Sequence, residues 1–321
     1  MHTTVILCTY NRCQTLSKAL SSVAVSALLP SVEWEVLVVD NNSSDRTREV
    51  VEDFCRRYPA RFRYLFEPRK GKSHALQTGI REAPGDVVAF MDDDVTVEPT
   101  WLQNLTAELH SGEWAGAGGR IVLQWPPSLP DWLAIEGPWV RHGQPAFDQG
   151  NEAKELIGPP FGTNMAFRKE MFQKHGGFRT DLGPSPGGEI PRPGEDTEFG
   201  RRLIAAGERL RYEPSAVVYH PVPENRINKK YLLEWWFDFG RARARQSKIR
   251  PVWGLCSMAS WKLRGIVASD PRLRFFSRLV VRERLGEISE FFHTLLRPKG
   301  RKLIAPPETR QERKDATAGP S

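Results

Sequence analysis

The chain has no long apolar run and few cysteines. Across its 321 residues, no window approaches the roughly 18 uncharged apolar residues of a membrane-spanning helix, so we predict none. The first residues lack the basic and apolar pattern of a secretory signal. The four cysteines are scattered and lack the paired spacing of a zinc site, which favours reduced thiols and a cytoplasmic protein.

Charge is distributed unevenly along the chain. Residues 1–225 contain 24 Lys and Arg against 30 Asp and Glu, whereas residues 226–302 contain 19 against 6, a net charge of +13. We predict a first domain over 1–225, a basic helical extension over 226–302 and, because residues 303–321 lack apolar clusters, a disordered tail. The basic extension is either a solvated face or a surface that binds a polyanion. If it binds one, we expect the partner to be an anionic membrane surface and not a nucleic acid.

An aromatic stripe lies near the start of this extension. The stripe and the arginines that follow it are Tyr231, Leu232, Trp235, Trp236, Phe239, Arg241, Arg243 and Arg245. Aromatic rings bordered by cations suit a helix in a membrane interface. The pattern is equally compatible with a helix that packs its stripe onto the first domain.

The first hundred residues alternate between strand and helix patterns. The predicted strands are Thr4–Cys8, Trp34–Val39, Phe62–Phe66 and Asp86–Met91, and the predicted helices are Gln14–Ala27, Asp45–Tyr58 and His74–Glu82. This order predicts a parallel sheet with right-handed crossovers, as in a nucleotide-binding half-domain. Further along, we predict irregular segments at Trp125–Gly143 and Gly158–Phe167 and a strand at Ala216–Tyr219.

Three consecutive carboxylates follow the apolar strand that begins at Val87: Asp92, Asp93 and Asp94. Packing cannot explain them, because a charged group taken out of water is costly unless it is paired or binds a metal. Carboxylate oxygens are ligands that Mg²⁺ and Mn²⁺ prefer. The segment favours a divalent cation site, with an acidic turn before a helix as the alternative.

Polar clusters also follow two other predicted strands. They are Thr9-Tyr10-Asn11-Arg12 and Asp40-Asn41-Asn42. Ligands of α/β sheets bind at the carboxyl ends of strands, so we expect these clusters and the three aspartates to converge at one edge of the sheet.

Five motifs occur in an order that is typical of one enzyme family. They are Val5-Ile6-Leu7-Cys8-Thr9-Tyr10-Asn11-Arg12, Val38-Val39-Asp40-Asn41-Asn42-Ser43-Ser44-Asp45, Asp92-x-Asp94, Gly162-Thr163-Asn164-Met165-Ala166-Phe167-Arg168 and Gly194-Glu195-Asp196-Thr197-Glu198. In these motifs the chain resembles the family 2 glycosyltransferases of the GT-A fold, over residues 3–220. The resemblance implies an α/β, Rossmann-like mixed sheet flanked by helices, with a nucleotide-binding half at about 1–100 and an acceptor half at about 101–225. It also implies sugar transfer from a UDP- or GDP-type nucleotide diphosphate donor, with inversion at the anomeric carbon.

The resemblance implies donor contacts at the strand ends and in two other segments. The residues are Thr9, Tyr10, Asn11, Arg12, Asp40, Lys72, Asp92, Asp93 and Asn164. Tyr10 offers a stacking face for a base, or else closes the strand end, and Asp40 can accept a hydrogen bond from the base or ribose. Lys72 can meet the diphosphate, while Gly71 lets the backbone approach it closely.

The resemblance assigns a divalent cofactor, Mn²⁺ or Mg²⁺, to the carboxylate cluster. Asp94 is the first expected ligand, and Asp92 contacts the metal, a metal-bound water or the ribose. His220 either supplies a further ligand or is structural. The cation would neutralise charge that builds on the leaving nucleotide diphosphate.

Inverting transfer needs a carboxylate that takes the proton from the acceptor hydroxyl. By the resemblance this base is Asp196, and Glu195 beside it orients the acceptor or the loop. The alternative is an acidic cluster at a helix N-terminus, and in either case we expect the helix end to lower the pKa of Asp196.

We therefore predict an enzyme of cell-envelope or exopolysaccharide synthesis that acts on a glycan or lipid-linked acceptor. We expect it in the cytoplasm, free or peripheral at the inner face of the plasma membrane. Trp125, Trp132 and Trp139 form either an acceptor platform or anchors of a long loop. The rival functions are a non-catalytic sugar-nucleotide or glycan-binding protein and a nucleotidyltransferase, which would show a glycine-rich loop that Cys8–Cys13 lacks.

Overall fold

The structure is a computed structural model that describes residues 2–28, 32–185, 194–246 and 251–296, without the side chains of 251–253. The predicted tail at 303–321 lies outside the described residues. The described strands are β1 (His2–Thr9), β2 (Glu33–Asp40), β3 (Phe62–Phe66), β4 (Val87–Asp92), β5 (Thr96–Val97), β6 (Gly116–Gln124), β7 (Lys154–Glu155), β8 (Asn164–Arg168) and β9 (Leu210–Pro221). The described helices are α1 (Leu16–Ala24), α2 (Thr47–Arg57), α3 (Lys72–Glu82), α4 (Trp101–Thr106), α5 (Glu170–His175), α6 (Glu195–Ala205), α7 (Lys229–Gln246), α8 (Pro251–Val267) and α9 (Pro271–Leu296).

The described strands form one mixed sheet in the order β3-β2-β1-β4-β8-β6-β9-β5, and β7 pairs with β9 off this path. β1 pairs in parallel with β2 and β4, and β2 pairs in parallel with β3, which confirms the predicted parallel half. β8 is antiparallel to both β4 and β6, so the sheet becomes mixed beyond β4. The predicted α/β fold with a mixed sheet is confirmed.

Helices cover both faces of this sheet. Along β1, Val5 and Leu7 pack in one buried cluster with residues of α1 and α2, whereas Ile6 packs in another with residues of α3 and α6. Because alternate residues of a strand point to opposite faces, each face has its own apolar core. Burial on both faces explains the nearly continuous apolar runs of the parallel strands.

Besides the two-residue strands β5 and β7, which were not predicted, three longer strands differ from the sequence prediction. The segment Gly158–Phe167, predicted to be irregular, ends within β8 in the middle of the sheet. β6 went unpredicted because its first half is rich in glycine, a residue depleted in strands. A Cβ atom at Gly119 would lie 2.2 Å from the carbonyl oxygen of Ala216, so close contact with β9 leaves no room for a side chain there. β9 extends the predicted strand Ala216–Tyr219 at both ends.

The basic extension consists of α7, α8 and α9 in the described residues, and the aromatic stripe of α7 packs inward. Leu232 is buried, and the indole N–H of Trp236 donates to the backbone carbonyl of Arg141 at 3.1 Å. The stripe therefore packs onto the preceding domain, which is the second of the two predicted alternatives. Among the described helices, none is long and apolar enough to cross a membrane.

The arginines that follow the stripe form ion pairs within the extension. Arg243 lies 2.8 Å from Glu283, and Arg241 and Arg245 lie 3.0 and 2.7 Å from Glu290. Both glutamates belong to α9 and are buried. The expectation of a free cationic surface at these arginines is therefore corrected, because they neutralise acids inside the helical unit.

α7 and α9 cross in close contact at two glycines. A Cβ atom at Gly240 would lie 2.0 Å from the carbonyl oxygen of Glu283, and one at Gly286 would lie 2.0 Å from that of Phe237. Any larger residue would force the two backbones apart, because the spacing of packed helices depends on the side chains at the contact. The ion pairs between α7 and α9 depend on the same close approach.

We expect Gly240→Ala to lower the free energy of unfolding by about 1–3 kcal/mol, as overpacking typically does. The better helix propensity of alanine, worth about 1 kcal/mol, opposes this loss without cancelling a backbone clash. Gly254→Ala on α8 is the matched control, since the nearest atom to its Cβ would be 3.8 Å away. Urea unfolding followed by circular dichroism measures both, and equal stabilities would contradict the close crossing.

Candidate active site

The predicted strand-end residues lie together at one edge of the sheet. Thr9 is aligned with Asp40 between β1 and β2, and Cys8 is aligned with Asp92 between β1 and β4. A cleft of about 1240 Å³ opens at this edge. The predicted site residues that line it are Thr9, Tyr10, Arg12, Lys72, Asp92, Asp93, Asp94, Glu195, Asp196 and His220.

Asp92, the last residue of β4, is held from two sides. Its Oδ1 atom accepts a hydrogen bond from Lys72 Nζ at 2.5 Å, and its Oδ2 atom accepts one from the hydroxyl of Thr163 at 2.6 Å. Burial alone would raise the pKa of Asp92, but the charge and hydrogen bond of Lys72 outweigh it and lower this pKa. Asp92 therefore carries its negative charge at neutral pH.

Asp93 and Asp94 face two guanidinium groups. Arg12 lies 3.9 Å from Asp93 and 3.7 Å from Asp94, and Arg226 lies 3.5 Å from Asp94. Burial, together with the neighbouring charge of Asp94, raises the pKa of Asp93 to about 7. Arg226 is the last residue of a short 3₁₀ turn that begins three residues after the end of β9.

His220, near the end of β9, completes a group of three candidate metal ligands. Ligand atoms of Asp92, Asp94 and His220 all lie within 4.8 Å of one another. The Nδ1 atom of His220 is 2.9 Å from the carbonyl oxygen of Pro221. A carbonyl can only accept, so Nδ1 is the donor of this bond, and Nε2, 3.9 Å from Asp94, is the nitrogen that could bind a metal. Two carboxylates and an imidazole suit a divalent cation such as Mn²⁺, so the residues present fit the expected cofactor.

Glu195 and Asp196 are the first two residues of α6. The carboxylate of Asp196 accepts two backbone hydrogen bonds, from the N–H of Gly162 at 2.7 Å and from the N–H of Thr197 at 2.6 Å. A Cβ atom at Gly162 would lie 3.1 Å from Asp196 Oδ2, so glycine allows this contact. The two donors fix the carboxylate at the wall of the cleft.

Burial raises the pKa values of both acids. For Glu195, burial and then the charge of Asp196 raise the pKa to about 8. The pKa of Asp196 is also raised by burial, although the hydrogen bond from Gly162 opposes the shift. This corrects the expectation of a lowered pKa, because loss of water around Asp196 outweighs its favourable position at a helix N-terminus.

Residues 4–176, more than half of the chain, match the model of a family described as glycosyl transferase family 2. The chain belongs to glycosyltransferase family 2. It is 28% identical over 246 residues to the succinoglycan biosynthesis protein ExoM of Rhizobium meliloti, covering 76% of this chain and 75% of that protein. It is 29% identical to the glucosyl-dolichyl phosphate glucuronosyltransferase of Haloferax volcanii, covering 75% of this chain and 76% of that protein.

Solved structures share the fold of this glycosyltransferase. A mannosyltransferase of Pyrobaculum calidifontis in complex with GDP-Man and Mn²⁺ matches with a TM-score of 0.62 and 18% identity, over 91% of this chain and 87% of that one. GalNAc-T7 with UDP, GalNAc and Mn²⁺ matches with a TM-score of 0.52 and 15% identity, over 74% of this chain and 47% of that one. These likenesses confirm the predicted GT-A fold.

Asn164 does not reach the cleft of this glycosyltransferase. It is 0% exposed, its amide N–H₂ donates to the backbone carbonyls of Arg120 and Ala216, and its Oδ1 atom accepts from the indole of Trp101. All of these bonds are internal, and they link Asn164 in β8 to the neighbouring strands β6 and β9. Asn164 therefore has no exposed surface with which to make the expected donor contact.

Asp40 and Asn11 are also absent from the cleft lining in the described residues. The two carboxylate oxygens of Asp40 accept hydrogen bonds from the backbone N–H of Ser43 and from the hydroxyl of Tyr64. The Oδ1 atom of Asn11 accepts one from the backbone N–H of Ser44. The Asn11 bond joins the loops after β1 and β2, and the Tyr64 bond joins β2 to β3. A donor contact at either residue stays a prediction.

Sequence reasoning gave no site role to several polar side chains of the glycosyltransferase cleft, among them Thr163 and Arg226. Thr163 precedes Asn164 in one of the five motifs, but a motif does not show in which direction the side chain of Thr163 points. Arg226 had no signal apart from its position shortly after His220.

An aromatic wall of the cleft comes from α7. Tyr231, Trp235 and Phe239 line the cleft, and the rings of Trp235 and Phe239 stack with their centroids 5.4 Å apart. Their spacing of four residues places them on one side of the helix. The stripe thus has two roles: Leu232 and Trp236 pack onto the preceding domain, and these three rings also form part of the cleft wall.

The three tryptophans that were candidates for an acceptor platform do not line this cleft. Trp132 packs on Phe275 and Trp139 packs on Phe276, both in α9, with ring centroids 4.6 and 5.5 Å apart. Trp125 packs on a nearby histidine of its own loop. The structure therefore favours the second prediction, in which these rings anchor a long loop.

Proposed function

We propose that this family 2 glycosyltransferase is an inverting enzyme that depends on Mn²⁺ or Mg²⁺ and uses a UDP- or GDP-type sugar donor. One observation carries the proposal: the ligand group of Asp92, Asp94 and His220 lines the same cleft as the fixed carboxylate of Asp196. Inverting transfer needs a positive charge at the leaving group and a base at the acceptor, and this cleft has residues for both.

The donor side of the cleft is the end that carries the three aspartates. Asp92, Asp94 and His220 would hold the cation, which when bound supplies positive charge to the leaving diphosphate. Arg12 and Arg226 lie within 4 Å of Asp94 and so add fixed positive charge for the same phosphates. Tyr10, at the end of β1, offers an exposed ring on which a base can stack.

Mn²⁺ is the cation that the comparisons support best. Both solved structures of the same fold contain Mn²⁺, one with GDP-Man and the other with UDP. An imidazole nitrogen beside carboxylates is a more usual ligand of Mn²⁺ than of Mg²⁺, which prefers oxygen and retains water.

The proposed base is Asp196. The acceptor hydroxyl oxygen attacks the anomeric carbon from the face opposite the diphosphate, and its proton passes to the Asp196 carboxylate. The bond from the anomeric carbon to the diphosphate breaks as the new bond forms, and the electron pair leaves with the diphosphate, so the configuration inverts. Backbone N–H groups of Gly162 and Thr197 hold the carboxylate for this transfer.

The acceptor side is proposed at the aromatic wall of α7. Rings such as Trp235 and Phe239 can pack on the C–H faces of a sugar and can also border an apolar chain. The names of two relatives, one in succinoglycan biosynthesis and one acting on a dolichyl phosphate, support a glycan or lipid-linked acceptor in envelope or exopolysaccharide synthesis.

A calorimetric screen of UDP- and GDP-sugars in the presence of Mn²⁺ tests this proposal. We expect saturable binding of at least one donor, with loss of binding in EDTA. If none of the donors binds with Mn²⁺ present, the proposed donor class is wrong.

We expect kcat/KM to rise with pH through the acidic range. Asp196 must lose its proton before it can accept one from the acceptor, and burial places its pKa above the ordinary value of 3.8. The rise should therefore have its midpoint above that value, in a profile measured between about pH 4.5 and pH 8 at saturating Mn²⁺. A profile that falls steadily with pH over this range would contradict a carboxylate base.

A further inference from the structure

α8 presents an apolar face that no described residue covers. Leu255, Leu263, Ile266 and Val267 are 52%, 63%, 71% and 74% exposed. An α-helix has about 3.6 residues per turn, so the first three of these side chains, with Ala259 between them, project from the same side of the helix. A contiguous exposed apolar face of this kind marks an interaction surface more often than a scatter of single residues does.

The charge around this face is positive. α8 contains Lys262 and Arg264 and no acidic residue, and residues 251–282 contain six Lys and Arg against one Asp. A groove of about 730 Å³ lies beside it, lined by parts of α7, α8 and α9. One carboxylate, Glu234, is found among the described residues that line this groove; the cations that line it are Lys229, Lys230, Lys262, Arg274, Arg278 and Arg282.

These cations differ from the arginines that join α7 to α9. In the part of the chain that the structure describes, no carboxylate lies within ion-pair distance of Lys229, Lys230, Lys262 or Arg278, whereas Arg245 is paired with a buried glutamate. The groove walls between the cations include the apolar side chains of Leu233, Trp261, Ile266 and Val281. Unneutralised cations on apolar walls fit a ligand that has an anionic head and an apolar body.

We propose that α8 and the adjoining groove form a docking surface for a bilayer that contains anionic lipids. The apolar face enters the boundary between head groups and acyl chains, and the groove cations bind lipid phosphates. A helix with one apolar side and bordering Lys and Arg is the pattern of interfacial helices, and each cation near an anionic surface adds to binding. The sequence analysis expected a membrane surface over 226–302 and offered the stripe of α7 as an interfacial helix, whereas this proposal places the contact on α8.

The position of α7 connects this surface with the cleft. Tyr231 and Trp235 line the cleft, while Lys230 and Leu233 of the same helix line the groove. An α-helix with its side chains is about 10 Å across, so docking would hold the aromatic wall close to the lipid head groups. The docking surface itself does not depend on the proposed chemistry, because vesicle binding can be measured without donor or acceptor.

Sedimentation with vesicles tests the proposal on the full chain. We expect the parent chain to pellet with vesicles of phosphatidylcholine and phosphatidylglycerol and not with phosphatidylcholine alone, and to dissociate as salt rises. Leu263→Asp with Ile266→Asp should weaken binding more than tenfold. Lys262→Glu with Arg278→Glu should weaken it at least fivefold for each cation removed, which corresponds to about 1 kcal/mol per charge near the surface.

Matched controls lie elsewhere on the surface. Ile157 is 95% exposed outside α8, and Arg48 is an exposed cation on α2, so Ile157→Asp and Arg48→Glu should leave vesicle binding unchanged. All variants change exposed side chains, and circular dichroism should show them folded.

Equal, negligible pelleting with both vesicle types would overturn the proposal. The proposal would also be overturned if the parent chain formed dimers and did not bind vesicles, and if Leu263→Asp abolished those dimers. In that case α8 would join two copies of the chain. Binding of inorganic phosphate or of a single-stranded oligonucleotide without vesicle association would also overturn it.

Discussion

Asp196→Asn should lower kcat by on the order of 10²–10⁴, the usual contribution of a general base. Asparagine keeps the shape of the side chain, and its carbonyl oxygen can still accept from the backbone N–H of Gly162, but its amide cannot take a proton at neutral pH. Donor affinity should stay within a few fold of that of the parent. Release of nucleoside diphosphate measures turnover, and calorimetry with the donor measures binding.

Glu198→Gln is the matched control for this variant. It removes one negative charge from the same helix, where Glu198 pairs with Arg202 at 2.8 Å and does not line the cleft in the described residues. Turnover should be retained in Glu198→Gln. Retained turnover in Asp196→Asn would place the base elsewhere, with Glu195 as the first candidate.

Asp94→Ala should abolish the cation requirement for nucleoside diphosphate binding. The variant lacks one of the three ligands whose atoms lie within 4.8 Å of one another. We expect cation affinity to fall on the order of 100-fold or more, because changes to outer-shell partners alone typically cost about 10–100-fold. Affinity for UDP or GDP in Mn²⁺ should then equal that of the parent in EDTA, as measured by calorimetry.

Asp53→Ala, at an exposed acid of α2, is the control for general loss of negative charge. It should bind nucleotide in Mn²⁺ as the parent does. If EDTA leaves the affinity of the parent unchanged, the three aspartates have no metal role in donor binding, whatever the variant does.

The sequence predicted the location of the cleft because strand ends are physically distinctive. Asp92 and Thr9 each follow a run of buried apolar residues, and the alternating pattern of strands and helices predicts that such ends meet at one edge. The register of β1 with β2 and β4 confirms this meeting. These features depend on local patterns and on the handedness of crossovers, both of which a single sequence contains.

The direction of individual side chains could not be predicted in the same way. Thr163 and Asn164 are adjacent, yet the first donates to Asp92 in the cleft and the second has no exposed surface. Successive residues at the start of a strand point to opposite sides, so a shift of one position decides between a ligand contact and an internal link. A motif specifies the segment and leaves that choice to the surrounding packing.

The charge of the C-terminal extension shows a similar limit. A net charge of +13 over 226–302 is a correct count, but the count cannot show which cations are already paired. Arg245 pairs with Glu290, which lies 45 positions further along the chain, whereas Lys262 has no carboxylate partner in the described residues. Long-range pairing depends on the crossing of α7 and α9, which sequence patterns do not reveal.

One measurement tests the central claim most directly: the release of nucleoside diphosphate from a panel of UDP- and GDP-sugars, in the presence of Mn²⁺ and simple glycan acceptors. NMR then gives the anomeric configuration of the product. The proposed function predicts release from at least one donor, loss of release in EDTA and in Asp196→Asn, and a β-linked product from an α-linked donor. A product that keeps the donor configuration, or Mn²⁺-dependent binding without release from any donor, would contradict it.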